Sequence, residues 1–562
     1  MRKTLSLILS IVMIVSMLSV GVFAAEGTPI KTTEDFNNMA ADGNYYLAAD
    51  ITVDTTYEAD FTGTLDGNGK TVTVSVPMFK QMNGTVKNLT TVGGVTQDTA
   101  KANLGAVAIG SAGGTFDGIT NKATVDHILA SGDACVGGIC GRVGTAPATF
   151  INCVNEANVS GPEATGGIVG EAQKLDTTFD NCYNKGNITS SGAKSGVAAG
   201  GIIGYSGNDI ITIKNCTNDG NITSGYRAGG IQGDARKSAN VSNCVNNGTV
   251  KGGNISAGIV GYSGDDGIKS GTTIKNCINN GDVTGTGGGT GGAAGILGYA
   301  WASNSDPVKA TTLENCINNG DLHLVTKGFV SEFVAYTNSQ YTVIRNCIGA
   351  GKITATGDAS GLFLCIVGMS GSDIALYTIE NVFIADGGAT TLLSWATADS
   401  NVKNRVPLSH ALGKNLSGAV IDFEGNQRTI GDSNVKAITR GELNSTMIYQ
   451  ANSGAGSTLF ALEGGKAVFA GAKVGYTAPT TPVEPPVTDP VDTKPAETDP
   501  VTPGTDPVDT KPADTDPVDT KPAETEPVTP PTGDNAYVVV IALAVVAIAG
   551  TACFFARKKV TD

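Results

Sequence analysis

The chain has 562 residues, of which 76 are glycine and only 16% are charged, and its formal net charge is −15. Glycine is a poor helix residue, which excludes a helical bundle as the main architecture, and the acidic balance excludes a basic nucleic-acid binder. Histidine occurs three times, at His127, His323 and His410, and none sits in HExxH spacing, so a zinc-protease motif is absent.

Residues 1–24 read as a signal peptide. Arg2 and Lys3 precede an apolar stretch from Leu5 to Val22, and Val22-Phe23-Ala24 supplies small residues at a signal-peptidase site between Ala24 and Ala25. The mature chain is therefore expected outside the cell.

The body then repeats itself. Ile213-Lys-Asn215-Cys216-Thr-Asn218-Asp-Gly220 recurs as Val241-Ser-Asn243-Cys244-Val-Asn246-Asn-Gly248 and as Ile274-Lys-Asn276-Cys277-Ile-Asn279-Asn-Gly281. Further copies centre on Cys153, Cys182, Cys316 and Cys347, and degenerate ones place Leu89, Ile119 and Val382 at the cysteine position. The mean period is about 33 residues. Most units carry a second phrase, such as Gly166-Gly-Ile168-Val-Gly170 or Gly200-Gly-Ile202-Ile-Gly204.

Each unit thus offers three short β-prone runs separated by Asn and Gly, none long enough for a helix. One unit cannot bury its apolar side alone, whereas stacked units share a core. The expected fold is all-β, a right-handed parallel β-helix of about ten coils with three short strands per coil, roughly 50 Å long. Ile213 and Cys216 are three apart, so both point inward only if Asn215 forms a left-handed bend.

The phrase pair NCxNxG…GGIVG resembles the GLUG-type repeats of bacterial surface proteins, over residues 85–400. Residues 25–84, with Thr33-Glu34-Asp35-Phe36 and Phe61-Thr-Gly-Thr-Leu65-Asp-Gly-Asn-Gly69, resemble the opening coils of pectate-lyase-like β-helices, which implies an N-terminal cap and first coils. Residues 401–476 contain a segment, 438–470, similar to the short module that closes such helices, which implies a C-terminal cap. GLUG-type repeats also accompany IgA-specific metalloendopeptidases, but that activity belongs to a zinc domain whose motif this sequence lacks.

Seven cysteines, Cys153, Cys182, Cys216, Cys244, Cys277, Cys316 and Cys347, share one repeat position. In a parallel stack their Cβ vectors are parallel and ~4.8 Å apart, which fits disulfide torsions poorly. They are expected to form a ladder of small buried hydrophobes. Cys135 and Cys140 fit either a bridge or two core positions. Asp265-Asp266 is the sole adjacent acidic pair of the repeats and lacks the partners that glycoside cleavage needs, and Asp66-Gly-Asn-Gly69 is read as a tight turn. Tyr205, Tyr262 and Tyr299 each follow the G-I-x-G phrase, so they are expected to stack as a stripe, either packed in the core or at its rim or facing a ligand. No metal or cofactor is expected.

Residues 477–532 form the stalk. The stretch 477–535 holds 15 of the 21 prolines and repeats TDPVDTKPAE from Thr488, with close copies from Thr505 and Thr515. Such composition forms no core and favours extended polyproline II.

Residues 533–562 close the chain, with an uncharged segment from Tyr537 to Phe555 of membrane-spanning length, followed by Arg557, Lys558 and Lys559. Together with Thr529-Pro530-Pro531-Thr532-Gly533, this order resembles the LPxTG-type cell-wall sorting signal of Gram-positive surface proteins. The resemblance implies sortase cleavage between Thr532 and Gly533, with Pro530 in the motif and Thr532 joined to peptidoglycan. Thr529 stands where that family has leucine.

The sequence therefore predicts a secreted, cell-wall-anchored protein that contacts the membrane only before sorting. Its expected partners are sortase, peptidoglycan and an unidentified host or polysaccharide ligand, and no nucleic acid. Adhesion or binding is expected rather than catalysis. A carbohydrate-active enzyme, either lyase or glycoside hydrolase, and a purely structural surface component are the alternatives.

Overall fold

The computed structural model describes residues 27–479, apart from several side loops and most of residues 397–433. The signal peptide, the sorting motif, the 537–555 segment, Asp265-Asp266 and nearly all of the stalk lie outside the described residues. Among the described residues no helix is long and apolar enough to cross a membrane.

Each repeat makes one turn of a parallel β-solenoid with three faces. In one turn, Thr149–Ile151 and Val154–Asn155 lie on the first face, Val159–Gly161 on the second, and Ala164–Gly166 and Val169–Ala172 on the third. Every strand pairs in parallel with its equivalent in the next turn. Three strands per coil were expected, but corners divide the first and third faces, so the turn contains five. The ladder of the first face is also longer than the ten recognisable repeats. It runs through fourteen rungs, from Thr28–Ile30 to Asn434–Gly441, because the flanking segments continue the hydrogen bonding without the repeat's side chains.

The corner of the first face is the asparagine before the cysteine. Asn152, Asn181, Asn215, Asn243, Asn276, Asn315, Asn346 and Asn381 all have φ between 51° and 57°, a conformation asparagine tolerates better than other non-glycine residues. The bend turns both Ile213 and Cys216 inward, and both are fully buried. The same inward register carries Phe116, Phe150 and Phe179, whose rings stack at 4.6 and 5.1 Å between centroids. The seven ladder cysteines are free and buried, their thiols directed at backbone carbonyls, as in Cys244 Sγ to Ser242 O at 3.1 Å. Burial pushes the Cys182, Cys244 and Cys347 thiols well above their ordinary range.

A second asparagine, two residues after the cysteine, builds an interior thread that spacing alone did not reveal. Each carboxamide donates to the carbonyl two residues on and to the carboxamide of the next rung. The rung-to-rung bonds link Asn121, Asn155, Asn184, Asn218, Asn246, Asn279 and Asn318 at 2.7–2.8 Å. At the next rung Gly349 replaces the asparagine. Glu332, from the third face, fills that space and accepts from Asn318 Nδ2 at 2.7 Å. Burial pushes its carboxyl up to about 8, so the thread ends on a neutral acid near pH 7.

Helix α1 (Thr33–Asn37) covers the first rungs. Thr32 caps it reciprocally with Asp35, and Phe36 inserts into the core against Phe79. After the last rung, helix α2 (Ser445–Ala455) and the hairpin Phe460–Glu463/Lys466–Phe469 lie along the flank of the solenoid. Met447, Ile448, Ala451, Phe460, Ala467 and Phe469 bury the outward-facing column Ile278, Ile317, Ile348 and Phe383. The physical reason is that these post-cysteine positions are apolar in the later coils and exclude water only when covered.

Candidate functional site

A bend divides the third face into two strands, and it falls at the GGIVG phrase. A Cβ on Gly166 would lie 2.0 Å from Val169 O and one on Gly167 2.1 Å from Gly201 O, so only glycine permits this close approach. Two outward columns flank the bend. One runs Cys135, Ala164, Ala198 and Arg227 in register. The other runs Arg142, Glu171, Tyr205, Asp234, Tyr262, Tyr299 and Tyr336. The predicted tyrosine stripe is therefore a single register column, broken once by Asp234.

Small side chains in the first column leave room for a cavity of about 340 Å³, lined by Asp133, Cys135, Arg142, Glu163, Glu171, Tyr205 and Arg236 among others. A trough of about 650 Å³ meets it at Arg142, lined by Gln81, Asn83 and Asn103 of earlier turns and by Gln173 and Lys174 of the turn of Glu171. Glu171 is the hub of the cavity. It is 8% exposed, pairs with Arg142 Nε at 2.9 Å and accepts from Cys135 Sγ at 3.0 Å. Cys135 is thus a groove residue and free, while Cys140 is a free core thiol pushed up to about 12 by burial.

Glu163 and Asp133 share the same wall with opposite protonation tendencies. Burial raises the Glu163 carboxyl, with Asp133 and Glu171 adding to the rise. The Lys194 ammonium, 2.5 Å away, lowers Asp133. Across from them Arg236 Nε donates to the Tyr205 hydroxyl at 3.3 Å, and burial raises that phenol. The cavity can present to a polyhydroxylated ligand an aromatic ring, two guanidinium groups, the ionised Asp133 carboxylate and a Glu163 carboxyl held towards its neutral form.

The stripe is not uniformly available. Tyr205 and Tyr299 are half-buried, but Tyr262 is 1% exposed. The Arg227 guanidinium lies 3.7 Å over its ring while pairing with the buried Asp234. For Tyr262 the structure therefore corrects the ligand-facing reading: it is a packing residue. Tyr299 packs edge-on to both Tyr262 and Tyr336 and parallel to Trp301. Arg142, Glu163, Glu171, Asp133 and Arg236 were not anticipated, because only register brings them together; their positions in adjacent units are offset by loops of different length. The Asp66–Gly69 segment is a turn, with Asn68 N bonded to Asp66 Oδ1 at 2.8 Å and Asn68 at φ 49°. Among the described residues no group of three His, Cys, Asp or Glu side chains is placed to hold a metal ion. The sortase residues Pro530, Thr532 and Gly533 and the signal-peptidase residues Ala24 and Ala25 lie outside the described residues.

No protein-family model matches the chain, and no curated protein matches it either. Among solved structures, a chain titled IgA1 Protease is similar at 15% identity and a TM-score of 0.27, over 56% of this chain. The match spans 20% of that protein's own length.

Proposed function

We propose that this protein is a surface-displayed β-solenoid that binds an extended polysaccharide along its third face. The observation that supports this reading is the groove itself, in which Arg142, Glu171 and Tyr205 succeed one another at single-rung spacing above a floor of small residues. A linear glycan repeats along its own axis, and a column repeating every ~4.8 Å is the complementary surface. Tyr205 offers a ring face for stacking, and Arg236 and Glu163 offer a donor and an acid for hydroxyl groups. The right-handed winding follows the general rule for parallel crossovers. Secretion, the extended acidic stalk, sortase attachment through Thr532 and the Gram-positive wall belong to the same proposal and rest on the sequence.

The test is a glycan array probed with the full chain and with Tyr205→Ala and Arg236→Ala. Each substitution should weaken a positive interaction at least tenfold. Binding that both leave unchanged sinks the groove assignment. Thr532→Ala should abolish wall linkage, and unchanged linkage would refute the anchoring.

The gathering of Asp133, Glu163 and Glu171 in the lining of one cavity favours a second reading, a glycan-cleaving enzyme. In it Glu163 would protonate the leaving oxygen while a second carboxylate activates water. New reducing ends from a bound polymer, lost in Glu163→Gln, would establish it.

A further inference from the structure

The segment Asn444 to Thr477 belongs to neither the ladder nor the groove, and the way it is held is unusual. Its hairpin pairs only with itself and joins no sheet of the solenoid. Polar side chains of the solenoid flank grip its backbone instead. Asn381 Nδ2 donates to Ala451 O at 2.9 Å. Asn319 makes a reciprocal pair with Ala467, donating to its O at 2.9 Å and accepting from its N at 3.1 Å. Asn181 makes the same reciprocal pair with Thr477, at 2.7 Å each way. Between them Tyr476 N donates to Thr217 Oγ1 at 2.8 Å, and the Tyr476 ring packs on Tyr183 at 4.9 Å between centroids. The segment forms a strap running back along the stack, from the rung of Asn381 to that of Asn181.

Beneath it lies a continuous column of outward-facing positions in register: Val245, Ile278, Ile317, Ile348 and Phe383. The last four are at most 7% exposed, although the equivalent earlier positions carry Thr217 and Tyr183. The flank is therefore built to receive a polypeptide. It has an apolar floor and a line of carboxamides, each able to donate to a carbonyl and accept from an N–H. This is main-chain recognition of the kind used when an extended segment adds to a sheet edge, made here with side chains except for one main-chain bond, Gly475 N to Asn243 O at 2.8 Å.

Nothing in that recognition distinguishes the strap of one molecule from the strap of another. Its link to its own solenoid is two residues, Glu442 and Leu443, between the last rung at Gly441 and the strap's first residue, Asn444. We propose that the flank is a docking surface for the Asn444–Thr477 segment of a second copy of this chain, so that two molecules join by exchanging straps. Intramolecular seating is favoured by the millimolar effective concentration that a short link gives. Exchange is favoured where copies are crowded on one surface, since swapping an identical element requires no new contact.

The test uses the full chain and, as probe, a labelled synthetic peptide of residues 444–477. The wild-type chain should bind the peptide weakly, because its own strap competes. A chain carrying Phe469→Ala and Tyr476→Ala should bind the unaltered peptide at least tenfold more tightly. Adding Asn319→Ala to that chain should reduce the affinity severalfold. Thr477→Pro, which removes the N–H donated to Asn181 and restricts the backbone at 476–477, gives a milder variant that leaves the apolar floor intact and should move binding in the same direction. Equal peptide affinity in the wild type and both loosened chains would overturn the proposal. So would peptide binding that Asn319→Ala leaves unchanged. Sedimentation of concentrated wild-type chain should show a dimer that excess peptide dissolves, and a dimer indifferent to peptide also counts against strap exchange.

Discussion

The first and third faces share one backbone repeat and carry opposite surface chemistry. On the first, the outward column becomes apolar over four successive rungs, from Ile278 to Phe383, and the chain covers it with its own strap. On the third, the column changes character from rung to rung through Arg142, Glu171, Tyr205 and Asp234. Covering an apolar column gains about 25 cal/mol for each Å² removed from water, so such a column acquires a lid. A mixed column satisfies its charges sideways, as Glu171 does with Arg142 at 2.9 Å, and can stay open to solvent. A repeat that is nearly silent on ligand therefore yields both a covered flank and an uncovered groove, according to which residues occupy two positions.

The comparison can be broken first in the interior that both faces share. Asn218→Leu should be the most damaging substitution. It removes the acceptor of the Asn184 amide and the donor to the Asn246 carboxamide oxygen and the Gly220 carbonyl, at about 5 kcal/mol for the three bonds together, read by denaturant unfolding. Asn215→Gly, at the corner, should cost less than about 1 kcal/mol, since glycine adopts the same left-handed bend.

Phe469→Ala should cost about 3–4 kcal/mol locally. Hydrogen exchange should accelerate across the strap while the rungs stay protected. If the ladder loosens equally, the flank is not an independent unit.

Glu332→Gln sharpens the pH behaviour. The buried carboxyl titrates at about 8 in the folded chain, against 4.5 ordinarily. The folded state thus holds the extra proton, and its stabilising effect, complete below about pH 4.5, is lost as pH rises through about 8. The glutamine variant keeps an acceptor for Asn318 and should flatten that decline in a series of melts. Tyr205→Ala, which removes a half-buried ring at the edge of the stack, should cost only about 1 kcal/mol.

Much of the fold was legible because it is local. The 3-residue offset between Ile213 and Cys216 required a left-handed corner, and Asn215 at φ 57° supplies it. The interior thread was visible as the second asparagine of NCxN but had no evident partner until register aligned Asn184, Asn218 and Asn246. The groove and strap were hidden for a different reason. Glu163 meets Asp133 and Glu171 only through stacking of adjacent turns, and Thr477 meets Asn181 across 296 residues of chain. Periodicity announces a stack, whereas contacts between a periodic body and a non-periodic segment leave no periodic trace.

The position of Thr477 has a mechanical consequence. It is bonded at the corner of the seventh of the fourteen rungs of the first face, so a pull transmitted along the chain beyond this residue meets the rod at its waist. The rungs before it form a free lever arm on which no such load acts, and much of the trough lined by Gln81 and Arg142 lies on that arm. A rod gripped at its end would turn its tip towards a pull. One gripped at its waist is free to lie broadside, with the full length of a long face against whatever it meets.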